Sequence, residues 1–296
     1  MSFVTDIRIE DNAVAAAATA QVTAQRLGSV LRERFQNFIH KRECQPGQQD
    51  YDIKMASRAL AAFTMYQLGG VDDKYAGEAV CDSSHDGGID GIAINHNEKI
   101  VVVVQSKFNQ AGNGTWTKAD FMCFKDACEK LQSERYELFD PILQDKSSEI
   151  SLALASFGYK FIFAMAHTGK KGAAEDILND MQEWQTQLNA VAFTPPDEPK
   201  ENWAFQVHLV SSEDMMQWLH SGSRSQIDLA GVEIERFGFI SEPHRAFYGA
   251  VSGDQIAEWW KQYGARLFTK NIRNMLGKTE VNEEIKKTAI ESPEMF

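Results

Sequence analysis

Two short stretches carry residue types that chemistry needs. The first reads Cys81-Asp82-Ser83-Ser84-His85-Asp86-Gly87-Gly88-Ile89-Asp90-Gly91, and the second is Gln105-Ser106-Lys107. Between them lie a polar pair, Asn97-Glu98, and the unbroken apolar run 100–104, the pattern of a β-hairpin. With Asn97-Glu98 at the turn, antiparallel pairing sets Asn95 against Ile100 and Ala93 against Val102. The same register sets Asp90 against Gln105. Residues two apart on a strand share a face, so Lys107 joins Gln105 while Ser106 turns to the other side. A carboxylate, an amide oxygen and an ammonium then converge.

Phosphodiester hydrolysis uses such a set. Hard oxygen ligands hold a magnesium or manganese ion, and a neighbouring cation orients the attacking water. Asp90 and Gln105 are the expected metal ligands and Lys107 the water-orienting group, with Asp82 and Asp86 close enough to assist. Glycines 87, 88 and 91 let the chain turn sharply and leave room for a phosphate. A D-G-G-x-D-G segment by itself is more simply a polar turn before a buried strand. What shifts the balance is that an acid before one strand and Q-x-K at the end of its partner fall in register.

These residues resemble the PD-(D/E)xK nuclease superfamily, in the variant that carries glutamine in place of the second acid and is familiar among Mrr-like restriction nucleases. A second resemblance lies near the end of the sequence. There Leu267-Phe268-Thr269-Lys270-Asn271-Ile272-Arg273-Asn274-Met275-Leu276-Gly277 leads into Val281-Asn282-Glu283-Glu284-Ile285 and Thr288. In this order the two patterns resemble the abortive-infection phage-resistance (AIPR) family, over roughly residues 51–296.

The resemblance implies a restriction-endonuclease-like mixed sheet flanked by helices, an α/β fold, with a second α+β region at the C-terminus. It implies a helical segment at 1–45, a nuclease-like domain at 46–222 and the start of an AIPR-type domain at 223–296, truncated because family members continue further. The implied activity is metal-dependent cleavage of DNA in anti-phage defence. The partners are DNA, a homo-oligomer for double-strand cutting, and an additional defence-system protein. The superfamily also places an acid on the helix before the first strand, for which residues 51–67 offer only Asp52. Gln105 removes a negative charge from the ligand set, so a silent nucleic-acid-binding or sensor module, and an RNA-cleaving nuclease, stand as alternatives.

The elements that must position these residues are legible in outline. Residues 12–38, rich in alanine, glutamine and leucine, read as one or two helices, and 51–67 as the next helix, ended by Gly69-Gly70. Strands are expected at 77–81, 91–95, 100–108, 159–166 and 203–210. Helices are expected at 118–139, 173–188 and from Ser212, which Ser211 or Ser212 could cap. Two apolar stretches, 232–240 and 245–251, precede a helix near Gly253-Asp254. That alternation predicts mixed α/β layers.

Whole-chain properties narrow the classes. With 296 residues, 43% hydrophobic and 24% charged, the chain can bury a core without disulfides. Its four cysteines form no C-x-x-C pair, which argues against a zinc site. No basic leader or membrane-spanning run is evident, so a cytoplasmic protein without membrane association is expected. The net charge of −12 argues against a broad basic face for nucleic acid, although a catalytic groove needs only local positive charge.

Other motifs weigh less. Residues 166–171, Ala-His-Thr-Gly-Lys-Lys, do not form an ATP-binding loop, because Ala164 stands where the first glycine belongs and Lys171 where Ser or Thr is required. Lys170 and Lys171 are weak candidates for contact with a nucleic-acid backbone. Trp259-Trp260 and Phe247-Tyr248 read as packing residues rather than base-stacking platforms.

Overall fold

The computed structural model describes residues 3–83, 86–156, 158–169, 172–192, 200–220, 229, 231–242, 245–263 and 287. The chain divides into two compact units, Met1–Gln226 and Ile227–Phe296.

The first unit is built on four strands in the order β1 (Gly91–Asn95), β2 (Ile100–Lys107), β3 (Lys160–His167) and β4 (Phe205–Val210). β1 and β2 form the expected hairpin, with Asn95 paired to Ile100 and Ala93 to Val102. β2, β3 and β4 run parallel, so each needs a crossover that lies over the sheet. The first crossover is made by α4 (Lys118–Gln132), α5 (Pro141–Gln144) and α6 (Ser147–Ala155), and the second by α7 (Glu175–Val191).

Alternation along β2 divides the core. Val102 and Val104 face α1 (Phe3–Phe35) and α2 (Tyr51–Gly69), where they meet Met55, Leu60 and Phe63. Val101 and Val103 face the opposite side and pack with Phe121, Phe124, Phe163 and Trp184 from the crossovers. The fold is therefore a mixed α/β sheet covered by helices on both faces, as a continuous apolar strand requires.

Several boundaries differ from the sequence reading. The strand expected at 77–81 is replaced by α3 (Asp73–Glu78), whose start is fixed by the Asp72 side chain accepting from the Tyr75 N–H, 2.8 Å. Only an isolated bridge, Val80 to Gly91, remains. The helix expected to reach 139 stops at Gln132, since Glu134 has φ of 56° and cannot continue it. Asp140 then caps α5, with Pro141 in its first turn, making a helix that periodicity did not reveal.

The N-terminal helix does not stand apart. Leu27, Leu31 and Phe35 of α1 are buried in the same cluster as α2. α8 (Ser212–His220) follows β4, with the Ser211 hydroxyl and Asp214 carboxylate bonded at 2.6 Å across its first turn.

The second unit contains a hairpin of β5 (Glu235–Ile240) and β6 (Ala246–Ala250) followed by α9 (Gly253–Tyr263). The pattern at 267–288 lies outside the described residues, apart from Lys287, as do Lys170, Lys171 and His85. No helix among the described residues is long and apolar enough to cross a membrane.

Candidate metal centre and adjoining cavity

The loop from Cys81 to Asp90 is held in place by its own backbone and by a buried arginine. The Cys81 N–H donates to the Asp90 carbonyl at 2.8 Å, and the Asp90 N–H donates to the Val104 carbonyl at 2.8 Å, extending the hairpin past β1. Gly87 and Gly88 take φ of 67° and 93°, the left-handed region. A Cβ on Gly87 would lie 2.7 Å from the Phe139 ring and 2.9 Å from the Leu138 carbonyl oxygen, so the turn is packed tightly against the chain before α5.

This loop gathers three acids. One carboxylate oxygen from each of Asp82, Asp86 and Asp90 lies within 4.8 Å of the others. Asp82 is held by Arg58 of α2, whose Nε donates to its carboxylate at 3.1 Å and whose Nη2 donates to its carbonyl at 2.7 Å. The remaining Arg58 nitrogen, Nη1, donates to the carbonyls of His40 and Lys41, so a buried guanidinium braces the acidic loop against the end of the N-terminal helical region. Asp86 accepts from the Gly88 N–H at 2.7 Å.

Asp90 is buried, and its Oδ2 accepts from both the backbone N–H and the hydroxyl of Ser106, at 2.7 and 2.8 Å. Burial and the neighbouring Asp82 and Asp86 charges raise its pKa to about 8, against the opposing pull of those two hydrogen bonds. Burial also raises Asp86, which the Gly88 N–H partly counters. A buried acid kept protonated beside two further carboxylates would be relieved by a cation that replaces the proton.

The other sequence-predicted residues fall as follows. The paired register ends at Gly91 and Val104, and beyond it the Asp90 N–H donates to Val104 while the Asp90 carboxylate joins Ser106 on the α2 side. The expected sharing of a face by Asp90 and Gln105 therefore gives way: Gln105, one residue before Ser106 in β2, faces the other side of the sheet. The Gln105 Oε1 is buried and has no hydrogen-bond partner. Lys107 does not reach Asp90 in this structure. Its ammonium pairs with Asp120, near the start of α4, and lies 4.8 Å from the centre of the Trp116 ring. Asp52 is turned away, ion-paired with Arg32 of α1 at 2.5 Å, because the helix rotates about 100° per residue and presents Ile53, Lys54 and Ser57 to the site instead.

Ser106 corrects the simple alternation argument. Its side chain does turn toward α2, where the hydroxyl that donates to Asp90 lies 3.1 Å from the Ser57 carbonyl oxygen and 3.3 Å from the Ser57 hydroxyl. Asp90, standing just outside β1, is free to bring its carboxylate onto that side as well. Strand alternation constrains only residues within the ladder.

A cavity of about 450 Å³ adjoins the acids, with Asp82, Lys107, Ser57 and Lys54 among its walls. The loop after β2 that closes it is tied to the end of β3. The Asn109 N–H donates to the Thr168 hydroxyl at 2.7 Å, and that hydroxyl donates to the Asn109 carbonyl at 2.9 Å. The cavity thus opens beyond the carboxyl ends of the parallel strands, where α/β sheets commonly bind ligands.

Arg58, Ser106, Ser57 and Lys54 were not singled out from sequence. A charged residue inside the apolar run from Met55 to Phe63 was the one available signal for Arg58. No family model, no curated protein and no solved structure matches the chain.

Proposed function

We propose that the chain is a nuclease that hydrolyses phosphodiester bonds with a divalent cation, Mg²⁺ or Mn²⁺, held by Asp82, Asp86 and Asp90. The observation that carries this reading is the meeting of three carboxylates, one of them buried, in a single loop at the end of the β1–β2 hairpin. All the donors are hard oxygens, which suit those ions. When bound, the ion would stabilise charge on the phosphoryl group and lower the pKa of a coordinated water.

The protein's own residues have distinct tasks in this account. Ser106 fixes the Asp90 carboxylate through two donors on one oxygen, leaving the other for a ligand. Arg58 holds Asp82 at the edge of the cavity. The Lys107 side chain is 40% exposed, and its ammonium, which pairs with Asp120 beside the Trp116 ring, can leave that acid for a substrate phosphate or the attacking water.

DNA is the proposed substrate, and bacterial anti-phage defence in the cytoplasm the proposed setting, supported by the resemblance of the two sequence patterns to PD-(D/E)xK and AIPR proteins. A restriction-endonuclease-like identity for the sheet belongs to the same proposal, as do self-association for double-strand cutting and a further defence-system partner.

A second reading is favoured by the ion pairs themselves. Arg58 on Asp82 and Lys107 on Asp120 neutralise the groups a catalyst would use, as a silent binding or sensor module would do. Incubating the protein with DNA and with RNA, in Mg²⁺ or in EDTA, separates the readings. Cleavage of DNA in Mg²⁺ alone supports the nuclease. Cleavage confined to RNA moves the substrate, and binding without cleavage of either supports the silent module.

A further inference from the structure

We propose that the cavity beside the acidic loop seats a backbone phosphate of the nucleic acid, with Lys54 gripping it alongside Lys107. This rests on the nuclease reading and extends it to a residue outside both sequence motifs. Lys54 and Ser57 enter the cavity from α2, and Lys107, Asn109 and Thr115 from the end of β2 and the loop beyond it. The volume, about 450 Å³, is that of a small-ligand site.

Two ammoniums and three neutral polar groups are the partners that backbone phosphates take from proteins. The single acid in the wall, Asp82, is already paired with a guanidinium that is 4% exposed, so its charge is largely answered from behind. The lysines, by contrast, are held loosely. Lys54 pairs with Asp50 at 2.8 Å, with both side chains about half exposed, and Lys107 pairs with Asp120 near the surface. Exposed pairs of this kind exchange readily for a better-placed anion. In a chain with net charge −12, two cations converging on one cavity provide local attraction that the molecule as a whole does not.

Lys54 also stands in the right place relative to the acids. It precedes Ser57 by three residues on one face of α2, and the Ser57 hydroxyl touches Ser106, which holds Asp90. A phosphate seated between Lys54 and Lys107 therefore lies beside the candidate metal centre rather than on a remote surface.

The test is binding of duplex DNA and duplex RNA by fluorescence anisotropy over a range of salt, with Ca²⁺ in place of Mg²⁺ to prevent cleavage. The proteins compared are wild type, Lys54→Ala, Lys54→Arg and, as a control on α4, Lys130→Ala. One lost phosphate contact should weaken binding and reduce the slope of log K against log salt by about 0.9 on duplex DNA. Lys54→Arg should restore both, and Lys130→Ala should change neither. The same losses on RNA alone would keep the phosphate seat and change the substrate. Wild-type affinity and slope in Lys54→Ala would overturn this inference while leaving the nuclease reading standing. No binding of either duplex by the wild type would overturn both.

Discussion

Replacing Asp90 by asparagine should make the protein more stable, although Asp90 is at the centre of the proposed site. The carboxyl has a folded pKa of about 8 against an ordinary value of 3.8, raised chiefly by burial and then by Asp82 and Asp86. Below about pH 4 the group is protonated in both folded and unfolded chains and contributes no pH dependence. Between about pH 4 and pH 8 the unfolded chain releases the proton while the folded one keeps it. The folded state then binds more protons, and stability falls as pH rises, by about 1.4 kcal/mol per unit. At pH 7, roughly three units above the ordinary value, the burden reaches at most about 4 kcal/mol. Asparagine has no such linkage, and its amide oxygen can still accept from the Ser106 N–H and hydroxyl. Urea unfolding at pH 5, 7 and 8 without divalent cations should show Asp90→Asn gaining on the wild type as pH increases. Mn²⁺ should stabilise the wild type and reduce that gap. An Asn variant less stable than wild type at pH 7, or a difference that does not change with pH, would contradict the electrostatic argument.

Two further outcomes follow from neighbouring contacts. Ser106→Ala removes a buried hydroxyl that serves Asp90 and Ser57, and should cost about 1–3 kcal/mol in chemical denaturation and weaken Mn²⁺ binding in a direct titration. Ser106→Thr, which keeps the donor, should recover the metal affinity if it folds. Phe163→Ala empties a fully buried position stacked on Trp184 at 5.2 Å between ring centres, and should cost about 3–5 kcal/mol by the same denaturation measurement.

How far the site was legible depended on where each residue stands in the ladder. The hairpin could be registered from the apolar run 100–104 and the polar turn because both lie within regular pairing, where side-chain direction has a period of two. Asp90 lies one residue outside β1, and that freedom is what joins it to Ser106, a contact that alternation assigns to opposite faces. Lys107, at the last position of β2, likewise takes its direction from Asp120 and Trp116, residues contributed by a loop and helix whose approach no local pattern encodes.

The same contrast explains the fold. α7 could be found because Ile177, Met181 and Trp184 repeat at helical spacing, and α2, buried almost all round, because its run has no proline and ends at Gly69-Gly70. α3 escapes a sequence reading, which puts a strand at 77–81 across its last two residues, because Asp73–Glu78 has too few turns to show a period and owes its start to the Asp72 cap. Parallel pairing of β2 with β3 and β4 was outside the reach of local reasoning, since it depends on crossovers returning over the sheet. The part of the site that packs against those crossovers, Lys107 above all, was hidden for the same reason.

The most direct test of the account is a side-by-side cleavage assay with wild type, Asp90→Ala and Lys107→Ala on plasmid DNA in Mg²⁺, each protein first shown to be folded by circular dichroism. The account predicts cleavage by the wild type, its loss in EDTA, and its loss in both variants. Cleavage that persists undiminished in folded Asp90→Ala and Lys107→Ala proteins would place the chemistry elsewhere in the molecule.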